Sequence, residues 1–380
     1  MQVLSTLTYY HPHWTGLTQF ARRIAEGLVA RGHGVTVLTT RHDRSLPAEE
    51  VLHGVRVIRL QPWLFVSRGA LVPAWPHRAA ALIGEHDVVQ IHTPQAEALV
   101  IAGLCRLRRT PVLMTHHGDL VMPPGLTNRL VECSVTAAMS AAGRLAAHVT
   151  PLSADYAEHS TFLKAFGARV RPISPPVDVP PPQPEAAAAW RRALGLERKR
   201  VIGFAGRFVE EKGFDYLLRA VPALAAGEPD VHLVFAGEHR VVYETFYEKC
   251  RGLLDRHRDR ITSLGLLRDR QQLANFYALC DVFALPSRTD SLASVQIEAM
   301  LAGTPVVATD IPGAREVVQR TGMGRLCRPR DPEHLAETLL HVLGHREQYI
   351  KTRAHIRAVY DPHRSVCEYE RLLLDMVATT

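Results

Sequence analysis

No stretch of about 18 consecutive apolar residues occurs in this 380-residue chain, so the sequence offers no candidate for a membrane-spanning helix. The opening Met-Gln-Val-Leu-Ser-Thr-Leu-Thr has no basic segment and reads as a first strand, not a secretion signal. Cys-x-x-Cys pairs are missing too. The six cysteines (Cys105, Cys133, Cys250, Cys280, Cys327, Cys367) are scattered, which argues against structural zinc and for free thiols in a reducing cytoplasm. There is no Asp-x-Asp triplet, so the usual carboxylate bridge between a metal ion and a diphosphate is not evident. Lysine is scarce, at five of the 45 basic residues. The net charge of +7 is therefore carried by arginine, and most of it lies early: residues 1–172 hold 17 Lys/Arg against 11 Asp/Glu. A basic half can meet an anionic membrane, an anionic acceptor or nucleic acid, or simply spread arginine over a surface. The arginines are not interleaved with aromatics in a stripe, which counts against nucleic acid.

What is present is a repeated alternation of short apolar runs with amphipathic stretches, the pattern of βαβ units and parallel sheets. The chain is too long for one core. Strands are predicted at 2–7, 35–38, 55–58, 88–91, 112–114 and 147–150. Helix 19–31 carries Phe20, Ile24 and Leu28 on one face, and Gly32-His33-Gly34 stops it. Between Arg171 and Glu185 the run Pro-Ile-Ser-Pro-Pro-Val-Asp-Val-Pro-Pro-Pro-Gln-Pro cannot continue a helix or central strand. The alternation then restarts, with strands at 201–204, 231–235, 261–263, 282–285, 305–308 and 324–327. Helices follow near 215–225, 271–279, 294–302 and 332–343. The expected organisation is an α/β chain with a first domain at 1–172, a linker at 173–184, a second domain at 185–362, and a final helix at 363–380 that crosses back to the first.

Two stretches carry the chemistry. In Pro286-Ser-Arg-Thr-Asp290-Ser-Leu-Ala-Ser-Val-Gln-Ile-Glu298-Ala-Met-Leu-Ala-Gly303-Thr-Pro-Val-Val, two carboxylates eight positions apart precede a buried strand. Both can face the C-terminal end of a parallel sheet, where open α/β folds bind ligands. Glu298 is set among small apolar residues, so it is paired or binds a ligand. Asp290 reads either as a ligand group or as the cap of the following helix. In Gly203-Phe-Ala-Gly206-Arg207-Phe-Val-Glu-Glu-Lys212-Gly213, a strand ends in a glycine loop. Arg207 offers a fork for phosphate oxygens, Lys212 adds a point charge, and helix amides begin near Gly213. Cations suit a diphosphate and carboxylates suit sugar hydroxyls, so together these stretches read as a site for a nucleotide-sugar.

In the first half, Trp14-Thr15-Gly16-Leu17-Thr18 joins strand to helix, with Gly16 allowing a phosphate to come close. His116-His117-Gly118-Asp119 follows a strand, and adjacent histidines on extended chain point in opposite directions, which favours a single cleft-facing donor over a metal site. The segment 61–76, with Trp63, Phe65, Leu71 and Trp75, is an acceptor groove or membrane contact if exposed, and otherwise a loop folded over its own core.

These motifs together resemble the retaining glycosyltransferases of GT-B architecture, in particular the large family 4 (group 1). The resemblance runs over essentially the whole chain. It rests on Phe204-Ala-Gly-Arg-x4-Lys-Gly, Pro-Ser-x2-Asp-x7-Glu-Ala-Met-x-Ala-Gly-x-Pro-Val-Val, and Asp310-Ile-Pro-Gly313-Ala-Arg-Glu316. It implies two Rossmann-like domains with parallel sheets facing across a cleft, an N-terminal one for the acceptor and a C-terminal one for the nucleotide-sugar. By the same resemblance Arg207 and Lys212 hold the diphosphate and stabilise the leaving group, and Glu298 binds the ribose. Asp290, where the family usually has Glu, contacts the donor sugar. His117 touches the transferred sugar, and Gly16 faces donor phosphate and acceptor. Leu292-Ala293 stands where Phe-Gly or Leu-Gly is common, and Thr15-Gly16 where many members have Gly-Gly. Trp14, Thr15, His116 and Asp119 are candidate acceptor contacts. The implied activity is hexosyl transfer from a UDP- or GDP-linked sugar to a hydroxyl acceptor, lipid-linked or glycoconjugate. No metal or cofactor is implied beyond the donor substrate, and no nucleic acid. The expected setting is the cytoplasm, at the inner face of a membrane. The alternatives are a GT-B sugar-nucleotide epimerase, or a non-catalytic nucleotide-sugar or nucleic-acid binding protein.

Overall fold

In the computed structural model the chain divides into two units, Met1–Pro176 with Pro362–Thr380, and Val177–Asp361. All residues are described except Ser67, Arg68, Pro123, Pro124, Arg240, Val242, Tyr243 and Thr380, together with the side chains of Val66 and Thr127. The break between units falls inside the proline-rich segment expected to be the linker, and the last helix, Pro362–Ala378, counts with the first unit.

The first unit is built on β1 (Gln2–Thr6), β2 (Gly34–Thr40), β3 (Glu49–Leu52), β4 (Val55–Leu60), β5 (Leu64–Val66), β6 (Gly69–Leu71), β7 (Val88–Thr93), β8 (Val112–His116) and β9 (His148–Pro151). Seven of these form one sheet in the order β3-β4-β2-β1-β7-β8-β9. All its pairings are parallel except β3 with β4. Edge strand β3 was not anticipated, because its sequence Glu-Glu-Val-Leu carries no apolar run. One face is apolar: Leu4, Leu38, Ile58, Val89, Ile91 and Met114 pack under the helices Trp75–Ile83, Ala98–Arg108 and Leu126–Leu145. Side chains alternate along a strand, so Ser5, Gln90, His92 and Thr115 point to the other face. That face is covered by helix Gly16–Ala30, which packs against Pro362–Ala378. Phe20 of the first helix lies edge-on to His92 and to Tyr369 of the last. Glu370 fastens the two helix ends together, 2.6 Å from Arg31 and 2.7 Å from His33.

The segment 61–76 divides. Val72 and Trp75 are buried in the core, while the antiparallel hairpin β5–β6 carries Trp63, Leu64, Phe65 and Leu71 at 79%, 59%, 50% and 55% exposure. Arg68 of that segment lies outside the described residues.

The second unit is a six-stranded parallel sheet of β10 (Arg200–Ala205), β11 (Val231–Ala236), β12 (Ile261–Gly265), β13 (Val282–Leu285), β14 (Val306–Thr309) and β15 (Gly324–Cys327). The order is β12-β11-β10-β13-β14-β15. Successive connections leave β10 toward β11 on one side, and from β13 they run the other way. The β10–β13 boundary is thus a topological switch point, and loops leaving the carboxyl ends of those strands open a crevice there. In the first unit β1, flanked by β2 and β7, occupies the corresponding position. Among the described residues no helix is long and apolar enough to cross a membrane, and the six cysteines are free.

Candidate active site

The two motifs of the second unit are the two loops at its switch point. The loop after β10 carries Arg207 and Lys212 and ends at Gly213, where helix Phe214–Gly227 begins. Gly213 has φ +65°, and a Cβ there would lie 1.9 Å from the Pro286 carbonyl oxygen. Only a glycine lets this loop press against the one that follows β13.

That contact brings the charges together. Lys212 Nζ lies 2.7 Å from Asp290 Oδ2, with the Asp290 side chain only 8% exposed. Burial works against the Lys212 charge, but the nearby carboxylates of Asp290 and Glu211 outweigh it and raise the ammonium above its ordinary value. Arg207 Nη2 pairs with Glu211 Oε1 at 3.0 Å. Asp290 is not the cap of the next helix: helix Ser294–Leu301 is capped by Ala293, with no side-chain hydrogen bond, and the Asp290 carboxylate is turned to Lys212. Leu292 and Ala293 are buried at this turn. Glu298 sits inside the helix, buried, and accepts a 3.0 Å hydrogen bond from the Tyr277 hydroxyl.

Sequence reasoning missed the residues that hold these loops in place. Arg288, between Ser287 and Asp290, binds Asp215 through both terminal guanidinium nitrogens. It also donates to the Glu210 carbonyl at 2.7 Å, and its backbone N–H donates to Glu211 at 2.8 Å. Asp215 was legible only as an acidic residue in a helix's first turn, and Arg288 only as a loop cation.

In the first unit, Thr15 caps helix Gly16–Ala30: its hydroxyl accepts from Thr18 N at 3.2 Å while Thr18 Oγ1 accepts from Thr15 N at 2.9 Å. The Thr15 side chain is thereby engaged in the cap. Trp14 is half-buried, and Gly16 is exposed with open space where a Cβ would be. His116 and His117 do point apart. His116 is fully buried, between Thr93 Oγ1 and Asp119 Oδ1 at 3.1 Å each, and stacks on Phe162. Its ring is turned into the core, which corrects its candidacy as an acceptor contact. Burial works to raise the Asp119 carboxyl, but hydrogen bonds with His116, Tyr156 and Ser160 outweigh it and hold the pKa below its usual value. His117 lies on the opposite face, its Nε2 3.0 Å from His92 Nδ1 and its ring edge-on to Phe20. Burial, reinforced by the neighbouring histidines, keeps it far below the ordinary histidine pKa and hence neutral.

Comparison with known proteins agrees with this geometry. Residues 199–345 match the family model described as glycosyl transferases group 1, and residues 14–180 that of glycosyltransferase family 4. A 2-deoxystreptamine glucosyltransferase of Streptomyces kanamyceticus is 34% identical over 68% of this chain and 68% of its own length. A phosphatidyl-myo-inositol mannosyltransferase of Mycobacterium leprae is 29% identical over 91% of this chain and 89% of its own. In fold the chain is similar to a sucrose-phosphate synthase from Thermosynechococcus elongatus, with a TM-score of 0.80, 19% identity and full coverage of both chains. The class is thus that of enzymes that transfer glycosyl groups, built from two parallel α/β units of the GT-B type. Within it, the chain belongs to the family 4 glycosyltransferases.

Proposed function

We propose that this enzyme is a retaining glycosyltransferase that moves a sugar from a UDP- or GDP-linked donor to a hydroxyl acceptor. The observation that carries the reading is the Lys212–Asp290 ion pair at the switch point of a parallel sheet, with Arg207 on the same loop and Glu298 in the adjoining helix. A diphosphate there meets two cations and the start of helix Ser294–Leu301, which has no side-chain cap, beside Leu292 and Ala293. Glu298 takes the ribose hydroxyls, and Asp290, fixed against Lys212, takes a hydroxyl of the donor sugar. To the first unit the reading assigns His117, as a contact of the transferred sugar. It also assigns Gly16, whose open flank leaves room for a phosphate or acceptor.

The reaction follows a front-face path. The acceptor oxygen bonds to the anomeric carbon on the side from which the phosphate oxygen departs, and that oxygen takes the acceptor's proton. Arg207 and Lys212 stabilise the charge developing on the diphosphate, so the reading needs no resident metal or cofactor. The exposed hairpin β5–β6 on the basic first unit suits an acceptor with an apolar, lipid-linked part, met by a cytoplasmic enzyme at a membrane's inner face.

A thermal-shift panel with UDP, GDP, ADP and their sugar conjugates tests this. A ligand at about 100 times its dissociation constant adds about 2.7 kcal/mol of stability. The expected result is a shift with one diphosphate that disappears in Arg207→Ala; no shift with any of them overturns the reading. An inverted anomeric configuration in the product would end the front-face path.

A further inference from the structure

The face of the first sheet that lies under helices Gly16–Ala30 and Pro362–Ala378 is polar where an apolar one would be cheaper to bury. Along it runs a line of three side chains from three adjacent strands: Ser5 on β1, His92 on β7, and His117 just beyond β8. Ser5 Oγ lies 3.1 Å from His92 Nε2, and His92 Nδ1 lies 3.0 Å from His117 Nε2. Ser5 is 2% exposed and His92 1%, and Phe20 closes over both rings edge-on.

Protons can be placed along this line. Among the described residues, His92 Nε2 is the one hydrogen-bond partner of Ser5 Oγ. A buried hydroxyl that donates to nothing loses a hydrogen bond it had in water, so the Ser5 O–H donates to His92 Nε2. A neutral imidazole carries one proton, so that of His92 sits on Nδ1 and is donated to His117 Nε2. With Nε2 accepting, neutral His117 keeps its own proton on Nδ1.

We infer that Ser5 and His92 are positioning residues that hold His117 as the neutral tautomer protonated at Nδ1, a hydrogen-bond donor with no ring lone pair left to act as a base. The depressed basicity of both rings, caused by burial, agrees with a chain that stays neutral. In the reaction His117 then donates to an oxygen of the transferred sugar and takes no proton from the acceptor. This catalytic consequence rests on the proposed contact of His117 with that sugar; the proton assignment does not.

Two-bond proton–nitrogen correlation spectra of the full chain, labelled with 15N-histidine and assigned by the signal lost in His117→Asn, read the tautomer without any ligand. The wild type is expected to show His117 protonated at Nδ1. Ser5→Ala should bring in the Nε2-protonated form, and Ser5→Thr, which keeps a hydroxyl, should restore the wild-type pattern. A wild-type His117 protonated at Nε2 overturns the inference, as does a Ser5→Ala spectrum unchanged at His117. In turnover, Ser5→Ala should lower kcat roughly tenfold with the donor KM unchanged, and Ser5→Thr should recover it. If the spectra come out as expected while His117→Ala turns over like wild type, the relay stands and the sugar contact of His117 is refuted.

Discussion

Arg288 and Asp215 meet fork to fork, Nη1 2.8 Å from Oδ1 and Nη2 2.9 Å from Oδ2, and this pair ties together the two loops to which the donor diphosphate is assigned above. The guanidinium also lies 4.2 Å above the Tyr216 ring, so its plane is held from a second side. Asp215 belongs to the helix that follows Lys212, and Arg288 stands two residues before Asp290. Whatever displaces this pair therefore shifts the Lys212–Asp290 contact with it.

Arg288→Lys keeps the charge but loses the second donor and the stacked plane. Urea unfolding should show a loss of about 1–2 kcal/mol, and the donor diphosphate should bind several-fold more weakly. Asp215→Ala leaves a largely buried guanidinium without its carboxylate and should cost about 3 kcal/mol. Unchanged diphosphate affinity in both variants would mean that the loops are not coupled through this pair.

Arg207→Ala and Lys212→Ala should each lower kcat by about 10²–10³, the range for losing one group that stabilises developing charge. Lys212→Ala also strands Asp290 without its cation. Turnover near wild type in both variants would show that the leaving-group site lies elsewhere.

Tyr277→Phe deletes the hydroxyl that donates to Glu298 Oε2 and leaves the ring in place. A hydrogen bond to a charged group is worth about 1.5–3 kcal/mol, and the carboxylate it orients is assigned to the ribose. The expected outcome of steady-state kinetics is a donor KM raised about tenfold with kcat little changed. A fall confined to kcat would move Glu298 from the ribose to the reacting centre.

Burial pushes the His92 pKa from 6.5 down to about 3. The folded state thus binds a proton less readily than the unfolded chain, so the unfolded state gains protons first as pH falls below 6.5, and stability drops from there toward pH 3. At about pH 4.5 the contribution reaches about 2–3 kcal/mol. Stability measured against pH in wild type and His92→Asn should show a shallower acid slope in the variant. Parallel curves would refute the assignment.

Trp63→Ser and Phe65→Ser alter side chains that are 79% and 50% exposed, so unfolding should change by no more than about 0.5 kcal/mol. Co-sedimentation with vesicles containing an anionic lipid should fall several-fold in both variants. Equal sedimentation of wild type and variants would remove the hairpin from any membrane contact.

Much of this was legible along the chain. The strand at Val282–Leu285 ends where its apolar run ends, because a strand buried on both faces must be apolar throughout. The opposed directions of His116 and His117 followed from the alternation of an extended backbone. Less legible was Glu49–Leu52, which pairs at a sheet edge and so carries charge. The hairpin β5–β6 is too short to show a period.

The sequence by itself determined the alternation of strands and helices, the division at the prolines, and the residue types at the carboxyl ends of β10 and β13. These are local properties, set by side-chain spacing and backbone sterics. Which strands become neighbours was decided only in the tertiary structure, and with it every pairing that orients the site. Arg288 reaches Asp215 across 73 positions, His92 reaches Ser5 across 87, and Lys212 reaches Asp290 across 78. Such contacts depend on strand order and on how closely loops approach, as at Gly213, and no local periodicity encodes either.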